Sequence, residues 1–268
     1  MFNTKIDDFS IEAIAESGQC FRIVPSGDGG YSVNAFRHVV DIKKEADGSF
    51  TFSCDEKEFL DIWKDYFDLE NDYGKYRSIA LKDDEYLNRA ISFGSGIRIL
   101  NQDPWEMLIS FIISQRKSVP AIRTSVERLS AMYGEEISGG YHAFPEPEAL
   151  LKADMEGLRS CGLGYRVEYI QNAAEAVCSG SLDIEGLKKL STPELIDKLM
   201  ELKGVGIKVA SCVVLFGFHR LDTVPVDVWM KRVIDTVYNG SLPEEYAPYA
   251  GVLQQYMFNY ARINKVGI

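Results

Sequence analysis

Leu202-Lys203-Gly204-Val205-Gly206-Ile207-Lys208-Val209-Ala210-Ser211-Cys212-Val213-Val214 (residues 202–214) is the stretch on which the fold turns. Two glycines flanking a small apolar residue let the backbone reverse tightly between helices. Upstream, Thr192 and Pro193 open a helix whose apolar positions Leu195, Leu199 and Leu202 share one face; downstream, an apolar helix begins at Lys208. The pattern predicts a helix-hairpin-helix over about 193–217. Its turn, at Gly204 and Gly206, leaves the first amides of the second helix unpaired and facing outwards, a clamp for phosphate that needs no particular base sequence.

Working outwards, Val224-Pro225-Val226-Asp227-Val228-Trp229-Met230 places Asp227 19 positions after Lys208. Asp227 is an N-cap candidate, with Met230, Val233, Ile234 and Val237 on the buried side of the helix that follows. An amine at the positive end of a helix dipole, partly buried, is favoured in its neutral, nucleophilic form. A carboxylate nearby can balance positive charge that develops as such an amine attacks. Taken singly, Lys208 reads as a solvated helix lysine and Asp227 as a cap; the spacing of both behind a Gly-Val-Gly turn favours chemistry. Cys212, four positions beyond Lys208, shares its helix face and reads by itself as a core cysteine.

The N-terminal part has a different period. Segments 20–24, 31–36, 39–43 and 49–54 are short, rich in β-branched or aromatic residues and separated by turn signals such as PSGDGG and ADGS. They predict an antiparallel, meander-like sheet. After Leu60 the spacing becomes helical. Asp103 and Pro104 open a helix with Trp105, Leu108, Ile109, Ile112 and Ile113 on one face; Val119, Ile122, Val126 and Leu129 form the next stripe, and Val167, Ile170, Ala174 and Val177 another. The expected class is α+β: an antiparallel β-rich domain over 1–97, then a mainly helical domain over 98–268, joined by a short linker near 90–97 and packed together.

Composition narrows the function classes. The 268 residues are 46% hydrophobic, enough for one large domain or two intimate ones. Acidic residues stand where a signal peptide would be basic, and no apolar run is long enough to span a membrane, so a soluble, cytoplasmic or nuclear protein without a membrane partner is expected. Five cysteines, at 20, 54, 161, 178 and 212, form no clustered pair, which argues against zinc, an iron-sulfur cluster or a disulfide framework. The net charge of −11 counts against a nucleic-acid partner unless the surface is polarised. Acidic residues concentrate in 41–90 and 135–156, whereas Arg116, Lys117, Arg123, Arg166, Lys203, Lys208, Lys231 and Arg232 lie near the motifs.

The hairpin and the Pro-Val-Asp segment together resemble the signature of the helix-hairpin-helix Gly/Pro-Asp superfamily of DNA glycosylases, whose bifunctional members carry the lysine and the aspartate. Ser17-Gly18-Gln19-Cys20-Phe21-Arg22, Gln102-Asp103-Pro104, Ser110-Phe111-Ile112, Leu163-Gly164-Tyr165-Arg166 and 248–254 (PYAGVLQ) with Phe258 resemble segments of 8-oxoguanine DNA glycosylases. The resemblance spans essentially the whole chain. It implies an enzyme of base excision repair that binds double-stranded DNA, flips out 8-oxoguanine, excises it through a Lys208 Schiff base and nicks the strand by β-elimination; nothing in the sequence suggests an obligate partner, so a monomer is expected.

Carried over position by position, the resemblance makes Lys208 and Asp227 catalytic and Gly18, Cys212, Gln254 and Phe258 the base pocket. Gly18 would offer its carbonyl to the N7 hydrogen that 8-oxoguanine has and guanine lacks. Phe258 and Cys212 would stack on the two faces of the base, and Gln254 would read its Watson-Crick edge. Tyr165 would wedge into the duplex and Arg166 would contact the partner strand; Arg116 and Trp229 join Gly204 and Gly206 as DNA-facing positions. The resemblance further implies a structural cation on the main-chain carbonyls of Met200, Leu202 and Val205, with no cofactor required for catalysis. Three departures stand out. The family's asparagine run is Gln115-Arg116-Lys117-Ser118 here, its second cytosine-gripping arginine is Ala121, and Trp229 stands where a histidine is common. A weakened preference for cytosine opposite the lesion is expected. The competing readings are a glycosylase for another damaged base, such as an alkylated purine, and a non-catalytic hairpin module that only holds DNA.

Overall fold

A computed structural model describes residues 1–27 and 29–265. The chain opens with a five-stranded antiparallel sheet: β1 Phe2–Thr4, β2 Ile23–Pro25, β3 Tyr31–Ala35, β4 His38–Lys44 and β5 Phe50–Phe52, in the order β1-β5-β4-β3-β2. The register sets Val33 opposite Val40 and Phe52 opposite both Phe2 and Ile42. Val33, Val40, Ile42, Phe50 and Phe52 are buried against Phe9, Ile14, Trp63, Phe67 and Leu100. The composition of 19–54, rich in β-branched and aromatic residues between turn signals, foretold the antiparallel sheet. It did not foretell β1, which is only three residues long and is held by pairing with β5.

The expected strand over 20–24 begins only at Ile23. Gly18 is in the left-handed region (φ +81°), and the buried Gln19 is tied by its side chain to Arg98 and Leu100, so the chain bends before it can pair. A short helix, Ile11–Glu16, capped by the Ser10 hydroxyl, leads into that bend.

The rest is mainly helical, as its spacing predicts. Asp103 caps the Pro104–Ser114 helix by accepting from the Glu106 amide at 2.8 Å. The helix from Trp105 to Ser114 is buried on all sides, which explains its continuous apolar run. Val119–Tyr133 and Val167–Cys178 follow, then Thr192–Met200 with a Ser191/Glu194 capping box, Ile207–Phe216, Val228–Val237 and Ala250–Asn264. A small hairpin, Glu136–Ser138 with Tyr141–His142, lies in an acidic stretch that carried no strand signal. The Pro104–Ser114 helix packs on Ile207–Phe216, and the C-terminal helix Ala250–Asn264 packs on Glu85–Phe93 and Val228–Val237. These contacts bring the chain near Gly18, the hairpin helix and the C-terminal helix to one place.

Gly204 is the turn position that tolerates no substitute. Its φ is +83°, and a Cβ there would sit 2.3–2.6 Å from the ring of Tyr169 on the Val167–Cys178 helix. The left-handed conformation and the clash together should make Gly204→Ala destabilising by about 2–4 kcal/mol. A urea midpoint equal to that of the parent protein would contradict this.

Candidate active site and nucleic-acid interface

The hairpin turn is built for an anion. The Thr192–Met200 helix ends two residues before Leu202, the turn takes Gly204 and Gly206, and Gly206 is the N-cap of Ile207–Phe216. Among the described residues, the amides of Gly204, Gly206 and Lys208 donate no hydrogen bond, while Val205 N–H donates to the Leu202 carbonyl at 3.1 Å. Ile207 is exposed beside them. Free amides at a helix start are what a phosphate oxygen requires. The carbonyls of Met200 and Val205 likewise accept no hydrogen bond among the described residues. Main-chain oxygens are donors that suit a hard cation, and two of the three carbonyls expected to hold one are thus free of hydrogen bonds. No three His, Cys, Asp or Glu side chains cluster as a metal site would need among the described residues.

Lys208 and Asp227 line one slot, together with Gly18, Phe111, Cys212, Phe216, Pro225, Gln254, Gln255 and Phe258. The Lys208 ammonium lies 5.5 Å from the centre of the Phe111 ring, which stacks on Phe216. Asp227 divides its two oxygens between tasks. Oδ1 accepts from the Trp229 and Met230 amides, both at 2.9 Å, capping the Val228–Val237 helix; Oδ2 has no protein partner among the described residues. The cap fixes the carboxylate and leaves one oxygen for the slot. Cys212 is buried on the same helix face as Lys208. Burial pushes its thiol up against the pull of the Lys208 ammonium, so it stays protonated and offers a flat, polarisable surface rather than a rival nucleophile.

Gln254 is only 3% exposed, and its Oε1 is buried without a partner. An orphaned amide oxygen facing a slot is a group that waits for a donor. The free space in the slot measures about 50 Å³, room for a water molecule or two. The Phe258 ring lies 3.2 Å from where a side chain at Gly18 would begin, so it must move away from Gly18 before a base can enter.

The sequence singled out six of these lining residues. It missed Phe111, Phe216, Pro225 and Gln255 as slot residues, because each sits in an apolar or capping run where core packing is the ordinary expectation.

The positions expected to face DNA lie outside the slot lining. Tyr165 is 51% exposed and meets Tyr169 edge-on. Arg166, beside it, is turned inwards: its guanidinium donates to the carbonyls of Leu163 and Gln115 and lies 4.5 Å from the Tyr165 ring centre. Arg116 is exposed at the third position of a turn closed by Lys117 N–H to the Ser114 carbonyl, 3.1 Å. Its φ of +54° is one that glycine or asparagine usually supplies in such a turn. Gln115 holds the turn by donating to the Gly204 carbonyl at 3.1 Å, which links it to the hairpin. Trp229 is half-buried under the Arg232 guanidinium. Ala121 is exposed and offers no hydrogen-bond donor.

Comparison with known proteins agrees with this geometry. Residues 1–108 match the family described as 8-oxoguanine DNA glycosylase, N-terminal domain, and residues 109–246 match the HhH-GPD superfamily of base excision DNA repair proteins. The chain is 31% identical to a probable N-glycosylase/DNA lyase of Methanothermobacter thermautotrophicus over 229 residues, 73% of this chain and 71% of the relative. The structure of MBOgg1 in complex with a low-affinity DNA ligand superposes with a TM-score of 0.90 at 40% identity, covering 97% of this chain and 94% of that one. The Clostridium acetobutylicum 8-oxoguanine glycosylase/lyase, bound to double-stranded DNA with cytosine opposite 8-oxoguanine, gives 0.89 at 32% identity over the same shares.

Proposed function

Because this chain belongs to the 8-oxoguanine DNA glycosylase family of the HhH-GPD superfamily, we propose that it excises 8-oxoguanine from duplex DNA and nicks the strand, with Lys208 as nucleophile and Asp227 as charge partner. The observation that carries this reading is the convergence of an amine, a carboxylate and two stacking surfaces on one slot beside a phosphate-ready hairpin.

The hairpin amides grip a phosphate, Tyr165 fills the gap in the helix, and the extruded base slides between Cys212 and Phe258. The Gly18 carbonyl accepts from N7–H of 8-oxoguanine but faces a lone pair on guanine, so the normal base leaves two acceptors opposed. Gln254 Oε1 accepts from the Watson-Crick edge. Lys208 then attacks C1′, and the C1′–N9 electron pair leaves with the base. The free oxygen of Asp227 balances positive charge on the sugar. The attached amine sheds a proton, and opening of the C1′–O4′ bond, with a proton taken up at O4′, turns this aminal into an iminium that makes the C2′ hydrogen acidic; loss of that hydrogen expels the 3′ phosphate. A cation held by Met200, Leu202 and Val205 would stiffen the turn and add positive charge behind the phosphate-facing amides.

Borohydride trapping on duplexes carrying 8-oxoguanine or an alkylated purine tests the reading. Only a Schiff-base enzyme becomes covalently joined to DNA, whereas an alkylpurine glycosylase releases its base without trapping and a binding module does neither. The buried lining of the slot, with an acceptor at Gly18 and another at Gln254, favours the oxidised purine.

Opposite-base reading should be relaxed. A cytosine stripped of its partner offers acceptors at O2 and N3, which two arginines satisfy well, but Ala121 cannot donate and Arg166 must first release two protein carbonyls. Restoring an arginine as Ala121→Arg should sharpen the cytosine preference by about tenfold in excision rate. A parent protein that already acts only opposite cytosine would overturn this and make Arg116 the reader.

A further inference from the structure

The short Ile11–Glu16 helix ends just before Gly18, and three side chains from two distant helices hold its last carbonyls. Arg123 donates to the Ala15 carbonyl, Arg262 to that of Glu16, and Gln255 Nε2 to that of Ser17 at 2.8 Å. Arg123 also pairs with the Glu16 carboxylate at 3.2 Å. Terminating the helix does not require them, because Ser17 already bonds back to Ile14 and Gly18 already takes the left-handed conformation.

Nor does stability explain them. Nε of Arg123 and Nε of Arg262 are both buried without a partner, and burial, the largest influence, makes Arg262 harder to keep charged. Unpaired buried donors are costly and rare enough to need a reason. Arg262 supplies one: its guanidinium also lies 5.8 Å from the Phe258 ring centre. A single side chain thus touches the segment that leads into Gly18 and the ring that faces Gly18 across the slot.

We propose that Arg262, with Arg123 and Gln255, forms a positioning clamp that fixes the Gly18 carbonyl against Phe258 and thereby sets how well the slot distinguishes 8-oxoguanine from guanine. This rests on the role given to Gly18 above. Discrimination by one carbonyl depends on its direction, since a hydrogen bond weakens steeply as it bends and a repelled lone pair can be avoided by a small retreat. A loosened clamp therefore weakens the grip on the lesion and the rejection of guanine together. It does not touch Lys208.

The test compares single-turnover excision of 8-oxoguanine with nicking of preformed abasic sites, which contain no base to position. Arg262→Met should lower excision about tenfold while abasic nicking stays at the parent level, and Arg262→Lys should recover part of the loss. Arg123→Met, on the other helix, should shift the ratio the same way. If both activities fall together, or neither falls, the clamp is refuted. The role of Gly18 is checked separately by duplex binding in the Lys208→Gln background. Equal affinity for 8-oxoguanine and guanine with the clamp intact would refute Gly18 as the reader, whereas discrimination that survives Arg262→Met would refute only the clamp.

Discussion

Lys208→Gln is expected to abolish borohydride trapping and to cut single-turnover excision of 8-oxoguanine by at least about a thousandfold. The amide cannot attack C1′ or form an iminium, so strand cleavage by β-elimination has no route. Lesion binding should survive. The free amides of Gly204 and Gly206, the exposed Tyr165 and the stacking surfaces of Cys212 and Phe258 are all independent of the ammonium. Glutamine also suits the first turn of a helix, so the hairpin should fold. Electrophoretic mobility shift on an 8-oxoguanine duplex reports the binding, and denaturing gels report the cleavage. Normal nicking by the purified variant would remove Lys208 from the mechanism.

Asp227→Asn should slow excision by about a hundredfold to a thousandfold with a much smaller change in binding. The geometry separates the two roles of this side chain. Oδ1 caps the Val228–Val237 helix by accepting two amide hydrogens, and an asparagine oxygen can do the same. In the proposed mechanism the second oxygen, free of protein partners among the described residues, would carry the charge that stabilises the sugar cation, and an amide nitrogen could not replace it. A parent-like thermal midpoint with a depressed rate is the expected pair of results. An unchanged single-turnover rate would leave Asp227 as a cap and nothing more.

Much of this was legible along the chain because it depends on near neighbours. Gly-Val-Gly between two apolar stripes gives a hairpin by local geometry alone, and Pro-Val-Asp gives a cap by the same means. The β-branched and aromatic residues between turn signals pointed to the antiparallel sheet, though not to its buried face, since four consecutive residues of β3 are buried. The resemblance of short segments then singled out Gly18, Cys212, Gln254 and Phe258, from three separate stretches, and these line one slot. What failed locally failed for a stated cause: β1 exists only through pairing with β5, some 48 residues away, and residues 20–22 leave the strand because Gly18 and Gln19 are held from elsewhere.

By itself, then, the sequence determined the hairpin, its capped partner helix and the placing of Lys208 and Asp227 on them, since helix period, turn and cap are decided within a few residues. The tertiary structure alone decided that Phe111, Phe216 and Gln255 line the slot, that Arg166 faces inwards, that Phe258 closes on Gly18 and that two arginines grip the chain beside it. Those features rest on contacts such as Gln255 to Ser17, separated by 238 residues. No local pattern encodes such a meeting, because whether an arginine or a phenylalanine is surface, core or site depends on what the rest of the chain packs against it.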